Sequence, residues 1–194
     1  VRFIQSTCEE FSVMVDDLLD LAKIEAGRLD VSPAWFEMMD LFAALRGMFK
    51  PLLDNDELNL VFEEPMGLPR LFTDDRKLSQ ILRNFVSNAL KFTARGEVRV
   101  SATLESGNMV RFAVSDTGIG IAPEHLESLF NDFSQVNAPI QKRLRGTGLG
   151  LALSKQLAVL LGGYVSVHSV VGEGSVFSVI VPVQMLPGKD GIES

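Results

Sequence analysis

The chain has one cysteine, Cys8, so it can form no internal disulfide, and nothing in it asks for an oxidising compartment. A cytoplasmic setting is the expectation. Long apolar runs are also missing. The most apolar stretch, residues 149–171, is broken by Lys155, Gln156, Gly162, Gly163 and His168, where a membrane span needs ~20 apolar residues in succession. The first residues show no charged, apolar and small-residue regions of a signal peptide, so any membrane anchor is expected outside this segment. Positive charge is in short supply. A net charge of −7 repels a nucleic-acid backbone, so no nucleic-acid partner is expected and any anionic ligand has to be held locally. No internal repeat or low-complexity tract is visible. What remains is a hydrophobic content of 46% with 22% charged residues, the usage of a globular domain and not of a disordered chain.

From residue 1 to about 30, Ile4, Cys8, Phe11, Met14, Val15, Leu18, Leu21 and Ala22 recur at spacings of three and four, the stripe of an amphipathic helix that wants a partner. Gly27 suits a helix cap and Pro33 cannot extend the ladder, so a helical segment is read at 1–31 and a second unit at 32–186. Residues 187–194 read as a tail or linker. Within the second unit the pattern predicts a short apolar segment at 35–39, a helix to about 53, a strand at 58–63 and a helix from Asp74 or Asp75 to about 93. Strands at 97–104 and 109–115 flank Ser106-Gly107-Asn108, residues suited to a tight hairpin. A glycine turn, a short helix at 123–130, a polar loop to 146, a helix at 150–161 and strands at 164–170 and 175–183 follow. This order predicts an α+β fold, a two-layer sandwich with helices on one face of a sheet.

Three groups of residues carry chemistry. On the helix after Asp75, Asn84, Asn88 and Lys91 lie at i, i+4 and i+7, one narrow stripe at ~3.6 residues per turn. Such a stripe can be a solvated edge. Asparagine, however, is a poor helix former, and two in mid-helix ask for a hydrogen-bond or ligand role; their amide oxygens suit a hard cation such as Mg²⁺. Asp116-Thr117-Gly118-Ile119-Gly120 sets a carboxylate and two glycines at a strand end, where the acid can accept from an exocyclic amino group and the glycines allow close backbone approach. The same residues also suit a simple turn. Arg145-Gly146-Thr147-Gly148-Leu149-Gly150-Leu151 opens a helix whose N–H groups and dipole can hold an anion. Glycines inside a helix cost ~1 kcal/mol each relative to alanine, which argues for a ligand in compensation. Lys142, Arg143 and Arg145 give the preceding loop a basic edge. The P-loop pattern Gly-x4-Gly-Lys-Ser/Thr is absent.

In this order the segments resemble the catalytic domain of sensor histidine kinases, a branch of the ATP-binding superfamily shared with gyrase, MutL and the ninety-kilodalton heat-shock chaperone, with its Bergerat-type fold. Residues 82–93, Leu-Arg-Asn-Phe-Val-Ser-Asn-Ala-Leu-Lys-Phe-Thr, look like the asparagine box. Residues 116–120 look like the first glycine box, Phe130-Asn131-Asp132-Phe133 like the phenylalanine box, 146–150 like the second glycine box, and Gly172-Glu173-Gly174-Ser175 like the last glycine turn. Residues 16–29 resemble the end of the second helix of the dimerisation and phosphotransfer hairpin.

The resemblance implies ATP and Mg²⁺ as ligands. Asn88 with Asn84 would hold the metal and Lys91 a phosphate; Asp116 would accept from the adenine amino group, in a base pocket shaped by Gly118 and Gly120. Gly146, Thr147, Gly148, Leu149 and Gly150 would close on the phosphates with Arg143 and Arg145, and Ser175 would complete the pocket. Residues 131–145 would form a mobile lid anchored by Phe130 and Phe133, although core packing is an equal reading for these rings. Hydrolysing relatives carry a glutamate base at position 84; a neutral Asn84 favours transfer to a protein side chain. Neither His125 nor His168 has the sequence setting of a phosphoacceptor, so the implied acceptor lies on a hairpin outside this chain, and autophosphorylation of the chain alone is not expected. The further implied partners are a response-regulator receiver domain and a second copy of the full-length protein. Rival readings are a nucleotide-binding regulatory module, an ATPase of the gyrase kind, and a serine kinase of the anti-sigma type, the last disfavoured by the opening helix.

Overall fold

The computed structural model describes residues 2–53, 57–126, 129–130 and 148–185. Helix α1 (Arg2–Glu25) ends as its sequence suggests. Gly27 takes a φ of 64° and donates its N–H to Ile24 O, while Arg28 N bonds Lys23 O, closing the last turn. Strand β1 (Ala34–Phe36) and helix α2 (Met38–Phe49) then divide the stretch expected as one apolar segment and a helix. A 3-10 turn, Lys50–Leu52, follows, and then β2 (Leu58–Phe62) and a short strand the sequence pattern did not announce, β3 (Leu71–Thr73). β1 and β3 pair antiparallel as a small separate sheet, with Trp35 against Phe72 at 5.2 Å between ring centroids.

Helix α3 (Asp75–Phe92) is capped by Asp74, whose Oδ1 accepts from Arg76 N and Lys77 N. Asp74 Oδ2 accepts from Ser32 N at 2.9 Å and Lys77 Nζ at 3.1 Å, so the chain leaving α1 is tied to the start of α3. Strands β4 (Gly96–Glu105) and β5 (Met109–Asp116) form the expected hairpin, with positive φ at Gly107 and Asn108. Helices α4 (Pro123–Leu126) and α5 (Gly150–Leu160) and strands β6 (Tyr164–Val170) and β7 (Gly174–Pro182) complete the described fold.

The main sheet has the order β2-β4-β5-β7-β6, parallel between β2 and β4 and antiparallel elsewhere. On β4 and β5 buried side chains alternate with more exposed ones, whereas β7 is buried on both faces, Ser178 and Ile180 included. Val98, Val100, Val110, Phe112, Val114, Val179 and Val181 turn inward and are fully buried. On the other face Arg99 bridges Glu63 and Glu97, and Arg111 pairs with Glu105. α3 lies over the inner face through Leu78, Ile81, Leu82, Phe85 and Val86, and α5 packs beside it through Leu153 and Leu157. Edge-to-face rings, Phe42 with Phe112 and with Phe62, join α2 to the sheet. α1 contacts α5, its Leu21 enters the core, and Asp20 accepts from Gln80 Nε2 at 3.1 Å. The sequence-drawn boundary at residue 31 is therefore crossed by packing. Among the described residues no helix is long and apolar enough to cross a membrane.

Candidate functional site

Helix α3 is the shared wall. Its apolar stripe fixes its roll against the sheet, which turns Asn84 and Asn88 toward α5. Asn84 Nδ2 donates to Ser154 Oγ at 2.9 Å, and Asn88 Nδ2 to Asn84 Oδ1 at 3.4 Å. Gly150, the first residue of α5, packs directly on this amide: a Cβ there would lie 2.9 Å from Asn84 Cγ and closer still to Oδ1. The asparagine stripe and the second glycine segment thus meet, although 66 positions of chain separate Asn84 from Gly150.

The other end of α3 meets the first glycine segment. A Cβ on Gly118 would stand 2.5 Å from Phe92 O and 2.9 Å from Thr93 Oγ1, and Ile119 N donates to Phe92 O at 3.3 Å. Asp116 ends β5 on the strand face of Val110, Phe112 and Val114, the helix side. Burial pushes its carboxyl above the ordinary carboxylate range, opposed by N–H groups of Gly118, at 2.8 Å from Oδ1, and of Ser175. Such an acid keeps accepting lone pairs for a donor inside the fold. Gly120, at a φ of 67°, packs against Val170 O, and Gly172 N donates to Ile119 O, so the turn is clamped between α3 and the β6–β7 connection. Ser169 Oγ accepts from Ile121 N, donates toward Gly174 O and lies 2.9 Å from Ser175 Oγ.

From Asn84 to Phe92 the helix rises ~12 Å at ~1.5 Å per residue, so the two glycine contacts lie that far apart along one helix. The cation fits the donor set: amide oxygens are hard ligands, and the start of α5, where Leu149 makes no side-chain cap hydrogen bond, is a positive end for phosphate. Among the described residues no three His, Cys, Asp or Glu side chains gather into a metal cage, so phosphate oxygens would have to supply the remaining ligands.

The remaining expected residues divide. Lys91 Nζ lies 5.4 Å from the Phe92 ring centre. Phe130 sits edge-on to Phe177 at 6.5 Å, a core contact. Leu149 buries its side chain in the core, so only its backbone can face a phosphate. Gly148 precedes α5 and Gly150 opens it, so neither is in the helix interior and the helix-interior penalty expected from the sequence does not apply to them. Lys142, Phe133, Arg143, Arg145, Gly146 and Thr147, and the proposed lid at 131–145, lie outside the described residues. Sequence reasoning missed Ser154, Ser169 and Thr93; the Thr93 hydroxyl is buried beside Gly118 and has no hydrogen-bond partner among the described residues.

Residues 73–185 match the family described as histidine kinase-, DNA gyrase B- and HSP90-like ATPase. The chain belongs to that family. The autoinducer 2 sensor kinase/phosphatase LuxQ of Vibrio parahaemolyticus is 37% identical over 182 residues, covering 91% of this chain and 21% of LuxQ. The hybrid signal transduction histidine kinase B of Dictyostelium discoideum is 37% identical over 174 residues, 87% of this chain and 9% of that protein. The structure of full-length ShkA in complex with AMPPNP superposes with a TM-score of 0.82 at 30% identity, covering 93% of this chain and 37% of ShkA. The chain thus corresponds to the ATP-binding catalytic domain of a histidine kinase and spans about a fifth or less of these two curated relatives.

Proposed function

We propose that this unit binds Mg·ATP between α3, the 116–120 turn and the start of α5, and in its full-length protein presents the γ-phosphate to a histidine imidazole on a hairpin outside the chain. The observation that carries this reading is the double contact of one helix, Gly150 against Asn84 at its middle and Gly118 against Phe92 at its end. Asp116 accepts from the adenine amino group, and the backbone of Gly148–Gly150 with the α5 dipole holds phosphate. Bound Mg²⁺ would neutralise phosphate charge, with Asn88 as a protein ligand. Catalysis then rests on positioning. Asn84 is neutral and bonded to Ser154, so position 84 offers no general base for water, which favours transfer over hydrolysis. A receiver domain and a homodimer through the hairpin complete the proposed assembly; the name of the Dictyostelium relative, a hybrid kinase, agrees with the first. A cytoplasmic location follows the same reading.

The test is incubation of the full-length protein, hairpin included, with γ-labelled ATP and Mg²⁺. Acid-labile, alkali-stable label on the protein is the expected result, lost in an Asn88→Ala variant. Steady phosphate release with no protein-bound label would favour the ATPase reading instead.

A further inference from the structure

We propose that Ser154 is a positioning residue that sets which atom of each active-site asparagine faces the metal, making Asn88 Oδ1 the protein ligand and Asn84 its orienter. This role rests on the Mg·ATP reading above and goes beyond it.

Ser154 is buried, four residues into α5, and its hydroxyl donates to Gly150 O at 2.8 Å, the back-bond open to a helical serine. A hydroxyl has one proton. With that proton committed to Gly150 O, Ser154 Oγ can only accept. The Asn84 amide facing it at 2.9 Å must therefore present Nδ2. This turns Asn84 Oδ1 along α3 toward Asn88, which must in turn present its own Nδ2, at 3.4 Å. The chain of donors runs one way, from Asn88 through Asn84 and Ser154 to the carbonyl of Gly150. Asn88 Oδ1 is the amide end left outside it.

Two consequences follow. Asn84 Oδ1 already takes one hydrogen bond from Asn88, whereas Asn88 Oδ1 takes none in the relay and is the oxygen assigned to the metal, with Asn84 holding its orientation. The chain also ends on Gly150, in the first turn of the helix assigned to the phosphates, so the orientation of the metal ligand and the placement of the phosphate cradle are fixed by one hydrogen-bond relay. A nonpolar residue at 154 would remove the acceptor and free the Asn84 amide to turn over, after which Asn88 has no fixed orientation either.

The test compares Ser154→Val with Ser154→Thr, which have nearly the same shape and differ in the hydroxyl, so crowding affects both alike. A non-hydrolysable ATP analogue is titrated calorimetrically into the whole chain with excess EDTA and with MgCl₂, and the ratio of the two dissociation constants is the readout. Thermal melts accompany each titration, and Ser154→Ala replaces the valine variant if that one unfolds below the assay temperature. The expected result is a fall of about 10–100-fold in the Mg²⁺ effect for Ser154→Val, with Ser154→Thr close to the parent. An unchanged ratio in Ser154→Val or Ser154→Ala, or an equal loss in Ser154→Thr, overturns the relay while leaving the nucleotide site standing. Absence of any Mg²⁺ effect in the parent chain overturns both the relay and the metal assignment beneath it.

Discussion

Gly150 and Asn84 touch so closely that no side chain fits between them: a Cβ on Gly150 would stand 2.9 Å from Asn84 Cγ, with Oδ1 nearer. The Asn84 amide is held by Ser154 and by Asn88 and has little freedom to retreat. Gly150→Ala should therefore force the Asn84 amide out of its contacts with Ser154 and Asn88, with some loss of stability from the crowding. The expected outcome is a loss of about 10–100-fold in Mg·nucleotide affinity by calorimetry, in a variant that melts lower than the parent but is folded at the assay temperature.

Asp116 receives N–H groups from Gly118 and Ser175, and in the proposed site it accepts from the adenine amino group. Asp116→Asn points an amide donor or a weaker acceptor at that group, so affinity for adenine nucleotides should fall by about 1–3 kcal/mol, roughly five- to 150-fold. The same carboxyl gives a pH signature. Burial raises it above the ordinary value of 3.8, and binding needs the ionised form. Affinity should be full above the raised pKa and decline as pH falls through it, at a higher pH than an exposed aspartate would show. Titrations across the acid range check this, and the Asn variant should flatten the profile.

Asp17 on α1 provides a second pH handle, with the opposite sense. Burial first, then the neighbouring charges of Asp20 and Asp16, raise its carboxyl from 3.8 to about 6, with Arg83 on α3 opposing. A raised acid binds its proton more tightly when the helix is docked than when it is free. Docking is therefore favoured at low pH and weakens as pH climbs from about 4 to about 6. Hydrogen exchange of α1 should accelerate over that interval, and Asp17→Asn should slow exchange at neutral pH and remove the dependence.

Asp74 shows the reverse shift. Burial alone would raise its carboxyl, but N–H groups of Ser32 and Lys77 and the Lys77 ammonium outweigh it and hold the carboxyl below 3.8. Its contribution to stability is present above that ordinary value and is lost as pH falls toward the depressed one. Asp74→Ala removes the α3 cap and the tie to the chain after α1 together, and should cost about 2–4 kcal/mol in denaturant unfolding.

Much of this architecture was legible in the residues, and what was not has physical reasons. The α3 stripe is legible because helical spacing alone puts Asn84, Asn88 and Lys91 on one edge, and Gly27, Asp74 and Gly107 mark their turns by conformational preference. β1 and β3 escaped because three residues are too few to show a period and Trp35 stays half exposed. Ser154 escaped for a different reason. A lone serine in the apolar helix Gly150–Leu160 reads as filler, and only the packing of α5 on α3 reveals that its oxygen answers an asparagine seventy positions away. At Leu149 the pattern does not show that the side chain turns into the core, which leaves the backbone alone for the expected phosphate contact.

The most direct measurement is a crystal structure of this chain grown with Mg²⁺ and a non-hydrolysable ATP analogue. The expected result is the purine amino group within hydrogen-bonding distance of Asp116, the metal beside Asn88 Oδ1, and the phosphates against the backbone of residues 148–150. A nucleotide bound elsewhere, or one whose base and phosphates contact neither Asp116 nor the start of α5, would contradict it.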